Sequence, residues 1–122
     1  MKKQLAKVKD AKISLDRKTF LTFWLTLDYE DAGVQGFGGY ALDDYDEEKE
    51  ERVGTAAGCD AIRKLLKLFN VKTFDEMVGR TVYAIREDDS FQAQIIGIEI
   101  PGFDGGGQFL IPEWRKKWFD DD

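Results

Sequence analysis

From Thr19 to Tyr29 the chain alternates without interruption, with Leu21, Phe23, Leu25, Leu27 and Tyr29 on one face and Thr22, Trp24 and Thr26 on the other. A period of two built from β-branched and aromatic residues specifies a strand with one buried face, and a slip of one residue would invert every side chain. Any fold open to this chain must therefore cover an apolar sheet face. Asp16-Arg17-Lys18 supplies a hairpin turn ahead of the strand. The ragged pattern before it, Leu5, Val8, Ile13 and Leu15 among lysines, reads as an edge strand over residues 5–14.

The pattern then changes twice. Val34 to Leu42 interleaves glycines with Phe37 and Tyr40, which reads as a third strand with a bulge or a close backbone approach. Between Gly54 and Asn70 the spacing of Ala61, Ile62, Leu65, Leu66 and Phe69 predicts a helix, with Thr55 to cap its start and Asn70 to end it. Thr73-Phe74-Asp75-Glu76 has the form of a capping box and predicts one further turn ending at Gly79. Residues 80–86 and 91–100 alternate around Glu87-Asp88-Asp89-Ser90, as two strands of a hairpin. A glycine-rich turn at 102–107 leads into an aromatic and basic tail, 108–122. The expected fold is α+β: one antiparallel sheet with one long helix packed on it, in a single domain covering residues 1–122, as suits a chain of 122 residues.

Composition excludes more chemistry than it suggests. The chain has no histidine and one cysteine, which removes Ser-His-Asp and Cys-His nucleophiles, His-ligated metals, cysteine-cluster metals and an internal disulfide. No apolar run approaches the ~20 residues that cross a bilayer, and the basic start lacks a secretory pattern, so a cytosolic protein without a membrane partner is expected. The net charge of −6 is concentrated in residues 43–51, where Asp43, Asp44, Asp46, Glu47, Glu48, Glu50 and Glu51 face only Lys49. This run reads as a solvated acidic loop, 43–53, and argues against a DNA mimic, which would spread carboxylates over a face. Residues 1–18 carry a local +5, which reads as solubility and edge protection with phosphate attraction as the other reading. No cofactor, no metal and no stable DNA binding are expected.

Several places offer chemistry. The start of the predicted helix, Gly54 to Gly58, presents small residues at the positive end of a dipole, and either admits an anion or packs tightly on the sheet. Phe37 and Tyr40, among glycines, offer stacking surfaces worth ~1–3 kcal/mol per base if exposed, and are otherwise core. In the tail, Trp114 and Trp118 flank Arg115, Lys116 and Lys117, mixing aromatic surface with phosphate-seeking charge or docking on a second subunit. Arg63, Arg86 and Arg115 stand out because a guanidinium fork suits phosphate better than a lysine. Cys59 lies in the first predicted helical turn, but with no histidine as base it is read as a small apolar residue.

The run Gly36-Phe37-Gly39-Tyr40-Leu42-Asp43, followed by Gly54-Thr55-Ala56, Gly58 and Ile62-Arg63, resembles a widespread family of small phage and prophage proteins, over roughly residues 10–100. It is similar to the first-described Thoeris anti-defence family, phage sponges for cyclic ADP-ribose signals made by bacterial TIR-domain proteins. The resemblance implies a non-enzymatic homo-oligomer, dimer or higher, acting in the cytoplasm of an infected bacterium, with pockets between subunits that sequester the nucleotide. It carries ligand contacts onto Phe37, Tyr40, Thr55 and Arg63, and further onto Arg86, Phe91 and Arg115. Two other classes stay open: an inhibitor that binds a host defence nuclease through the acidic run, and an enzyme that cleaves a signalling nucleotide.

Overall fold

A computed structural model describes residues 2–30, 32–88, 93–102 and 107–119. Among these residues eight strands, two α-helices and one 3-10 turn follow in the order β1 (Lys2–Asp16), β2 (Phe20–Asp28), β3 (Val34–Gly38), β4 (Asp43–Asp46), β5 (Glu51–Gly54), α1 (Ala56–Phe69), the turn Phe74–Met77, β6 (Thr81–Arg86), β7 (Ile95–Glu99), β8 (Gln108–Leu110) and α2 (Ile111–Phe119). Six strands form one antiparallel sheet in the order β3-β2-β1-β6-β7-β8, and β4 and β5 form a separate hairpin. Among the described residues no helix is long and apolar enough to cross a membrane.

The alternation from Thr19 onward holds: Phe23, Leu25 and Leu27 are fully buried on the core face of β2. Against them lie Ala57, Ala61, Leu65 and Phe69 of α1, four residues apart and therefore on one stripe. Thr55 caps α1 by accepting the Gly58 N–H at 2.9 Å, and Asn70 ends it in the left-handed conformation. Phe23 meets Phe37 edge-on at 5.4 Å, and Phe74 and Phe109 complete an aromatic centre.

Four expectations are corrected. The fold has two helices rather than one long one, because the tail is helical: Pro112 sits in the first turn, where its missing N–H costs nothing, and Ile111 and Trp114 turn to the core. The first strand is an inner strand of the sheet rather than an edge, its start, Lys2–Lys7, pairing with β6 and its remainder, Lys7–Asp16, with β2; a register shift between Val8 and Asp10 makes its sequence pattern ragged. The acidic run is a hairpin rather than a loop. Asp43 anchors it, accepting Arg52 Nε and Nη2 at 3.1 and 2.8 Å on Oδ1 and the Leu21 N–H at 3.0 Å on Oδ2. The third strand stops at Gly38 rather than running to Leu42, and the tail opens with a further strand, β8. The antiparallel pairing of the strands around residue 90 is as predicted, although Asp89–Gln92 and most of the glycine-rich turn lie outside the described residues.

Glycine decides two of these contacts. A Cβ on Gly39 would stand 2.7 Å from Cζ2 of Trp24, so the glycine face of β3 is filled by that indole rather than open to a ligand. A Cβ on Gly58 would stand 1.9 Å from the Leu42 carbonyl oxygen. The small residues at the start of α1 therefore serve packing. In an exposed helix Gly→Ala stabilises by about 0.5–1 kcal/mol; at Gly58 the sign reverses, and Gly58→Ala is expected to destabilise by about 1–3 kcal/mol through overpacking, read as a lower midpoint in urea unfolding.

Candidate functional site

The sheet curls until β3 lies against β7, and side chains close the seam: Gln35 Nε2 donates to the Ala93 carbonyl at 2.9 Å, and Gln94 Nε2 to the Tyr40 hydroxyl at 3.2 Å. Beside this seam opens a cleft of about 450 Å³ lined by Tyr40, Glu87, Gln94, Ile96, Ile111, Pro112, Arg115 and Lys116. That volume falls in the range of small-ligand sites.

Tyr40 is held by its main chain and its tip. Its carbonyl accepts the Thr22 hydroxyl at 2.8 Å, the preceding Gly39 N–H donates to Phe23 at 3.0 Å, and the phenol reaches the Ile95 carbonyl at 3.5 Å. Burial pushes the phenol above its ordinary 10.0 against the opposing pull of Arg115, so it is a neutral O–H at physiological pH. The Arg115 guanidinium lies over the ring, 5.4 Å from its centroid. This stacking covers one face of Tyr40 while leaving the edge of the fork free to donate to an anion. A second hollow of about 450 Å³, lined by Tyr40, Ala41, Trp114, Arg115 and Phe119, shares the same pair as its wall. Among the described lining residues Lys116 stands beside Arg115 with only Glu87 opposing them, a positive balance suited to phosphate.

The wall that bears Arg115 is docked by two indoles. Trp114, buried, donates Nε1 to the Ala57 carbonyl at 2.8 Å, and Trp118 donates Nε1 to Asp60 Oδ2 at 2.7 Å. Asp60 also meets Lys64 at 3.1 Å and Lys117 at 3.8 Å. The two indoles of the tail are thus committed within the chain.

Of the seven residues singled out from sequence, two converge here, Tyr40 and Arg115. Phe37 is wholly buried in the aromatic centre. Thr55 caps α1 and donates its hydroxyl to the Leu42 carbonyl at 2.9 Å. Arg63 is exposed on α1, away from the cleft lining. Arg86 is buried on the core face, donating to Gln4 Oε1 at 2.6 Å and stacking over Tyr29 at 5.8 Å; Tyr29 in turn donates to Gln35 Oε1 at 2.8 Å, so this polar cluster supports the seam. Phe91 lies outside the described residues. Sequence reasoning missed Glu87, Gln94 and Ile96, which only the curl of the sheet brings to Tyr40; Lys116 was visible as part of the basic tail. Cys59 is exposed. The comparisons with known proteins return no match: no family model, no curated protein and no solved structure.

Burial pushes the Asp60 carboxyl up, but the Trp118 N–H and Lys64 outweigh it and hold the group below its ordinary 3.8. Its stabilisation is therefore complete above that value and lost as the pH falls through the lowered folded value. Tryptophan fluorescence should report α2 loosening in that acid range, and Asp60→Asn should weaken docking at neutral pH by about 1 kcal/mol and flatten the acid dependence. Arg86→Ala should lower stability by about 1–3 kcal/mol in denaturant titrations, because it strips a buried network, whereas Arg115→Ala should stay within about 0.5 kcal/mol of the parent.

Proposed function

We propose that this chain is a non-enzymatic binding protein that captures a nucleotide of the cyclic ADP-ribose class, a phage-encoded sponge that starves TIR-dependent anti-phage defence of its signal. The observation that carries the reading is the Arg115–Tyr40 stack at the cleft, with Lys116 alongside. Such a ligand needs donors for a diphosphate and flat apolar surface for a purine. Arg115 and Lys116 supply the first; the hollow between Tyr40 and Phe119 supplies the second. Support for binding without turnover comes from the described lining residues, among which a neutral phenol and a single carboxylate make no paired acid and base. The seam ties Tyr40 and Gln94 before any ligand arrives, which limits the ordering that capture would cost.

Calorimetry with cyclic ADP-ribose isomers, followed by heat denaturation and identification of what is released, tests the reading. Saturable binding with intact nucleotide recovered is expected, and Arg115→Ala or Tyr40→Ala should weaken it at least about tenfold, roughly the loss of one charge-assisted contact. A changed nucleotide in the supernatant would instead mean an enzyme. If Arg63→Ala abolishes binding and Arg115→Ala does not, the ligand sits elsewhere. The acidic hairpin, which exposes Glu47, Glu48, Glu50 and Glu51 on an ordered arm, favours the nuclease-inhibitor reading as the second choice; replacing those residues with glutamine would then abolish activity and leave nucleotide binding intact.

A further inference from the structure

β1 has strand partners on both sides only at Lys7, where its ladder with β6 ends and its ladder with β2 begins. Lys2–Lys7 pair with β6, and Val8 exchanges main-chain bonds with Gly79 and Arg80, but from Asp10 to Asp16 the only strand beside it among the described residues is β2. Among the described residues no main-chain group bonds to the outer side of residues 12–15, although every second residue of such a strand turns its N–H and C=O outward. The same stretch exposes Ile13 and Leu15, at 42% and 58%. A free edge with apolar side chains is a template for another strand.

The side chains indicate which strand. Lys12, Ser14 and Asp16 share one face, and Ile13 and Leu15 the other. An antiparallel two-fold pairing centred on Ser14 sets Lys12 opposite Asp16 of the partner subunit and Ile13 opposite Leu15 of the partner subunit, each pair occurring twice by symmetry. It also carries Lys18, at the hairpin tip, toward Asp10 of the partner subunit. Neighbouring registers lack this match: centring on Ile13 opposes Asp10 to Asp16, and centring on Lys12 opposes two lysines.

We propose that residues 12–16 of β1 are a self-pairing surface, on which a second copy of this chain adds its own 12–16 in the register centred on Ser14, making one continuous sheet across the dimer. The edge lies on the opposite side of β2 from β3 and Tyr40, and the pairing requires no nucleotide, so its failure leaves the cleft reading untouched.

Sedimentation velocity on the full chain without nucleotide tests it. The parent should show a concentration-dependent dimer. Lys12→Asp and Asp16→Lys should each raise the dimer dissociation constant at least about tenfold, since two attractive pairs become repulsive. A one-to-one mixture of these two variants should recover the dimer, because each then meets an opposite charge; that recovery also shows both are folded. Ile13→Lys, which leaves the bond from Trp24 to Asp16 alone, should weaken the dimer as well. A monomeric parent overturns the surface. A dimer unchanged in the charge variants, or a mixture no tighter than its components, overturns the register.

Discussion

The approach of α1 to the main chain at Leu42 holds the rest in place. Leu42 donates its N–H to the Leu21 carbonyl at 2.8 Å and so belongs to the flank of β2, while its own carbonyl accepts the Thr55 hydroxyl. Only a residue without a side chain at position 58 lets the helix come that near. At the neighbouring residue, the Ala57 carbonyl receives Trp114, which fixes α2. Main chain at 42, helix start and tail are thereby linked as one unit. Tyr40 and Arg115, far apart in sequence, meet because each lies within two residues of that linkage.

Local signals survived wherever local physics decided. The period of β2, the Thr55 cap and the left-handed Asn70 were all legible, since each depends on spacing or on one residue's own conformational preference. What misled was ambiguity between surfaces. The glycines of β3 look like exposed backbone, yet Trp24, more than ten residues earlier, occupies them. Phe37 and Tyr40 look equivalent in sequence, yet the pleat sends Phe37 to the core and the left-handed Gly39 carries Tyr40 to the seam. Arg86 reads as a phosphate-seeking fork until the pairing with Ile95 places it on the buried face. Nothing short of the sheet order could place Gln94 and Glu87 beside Tyr40.

Charge shows the same division between local and distant causes. The acidic run has the composition of a solvated loop, yet one carboxylate, Asp43, is held by Arg52 and by the Leu21 N–H while the glutamates beyond it face water. Burial alone would raise the Asp43 carboxyl; those donors reverse the balance and hold it below its ordinary value. A single well-satisfied acid thus converts a repulsive stretch into an arm with a fixed root.

Among the described residues the closure between β3 and β7 is made by amide side chains and a phenol, not by a main-chain ladder. Such a junction parts by rotating side chains, leaving every strand pair of the six-stranded sheet intact. Its opening free energy therefore lies below that of global unfolding, in the class of sub-global openings seen by amide exchange. Because Tyr40 and Gln94 are at once seam and cleft wall, breathing of the curled sheet and access to the cleft are one motion.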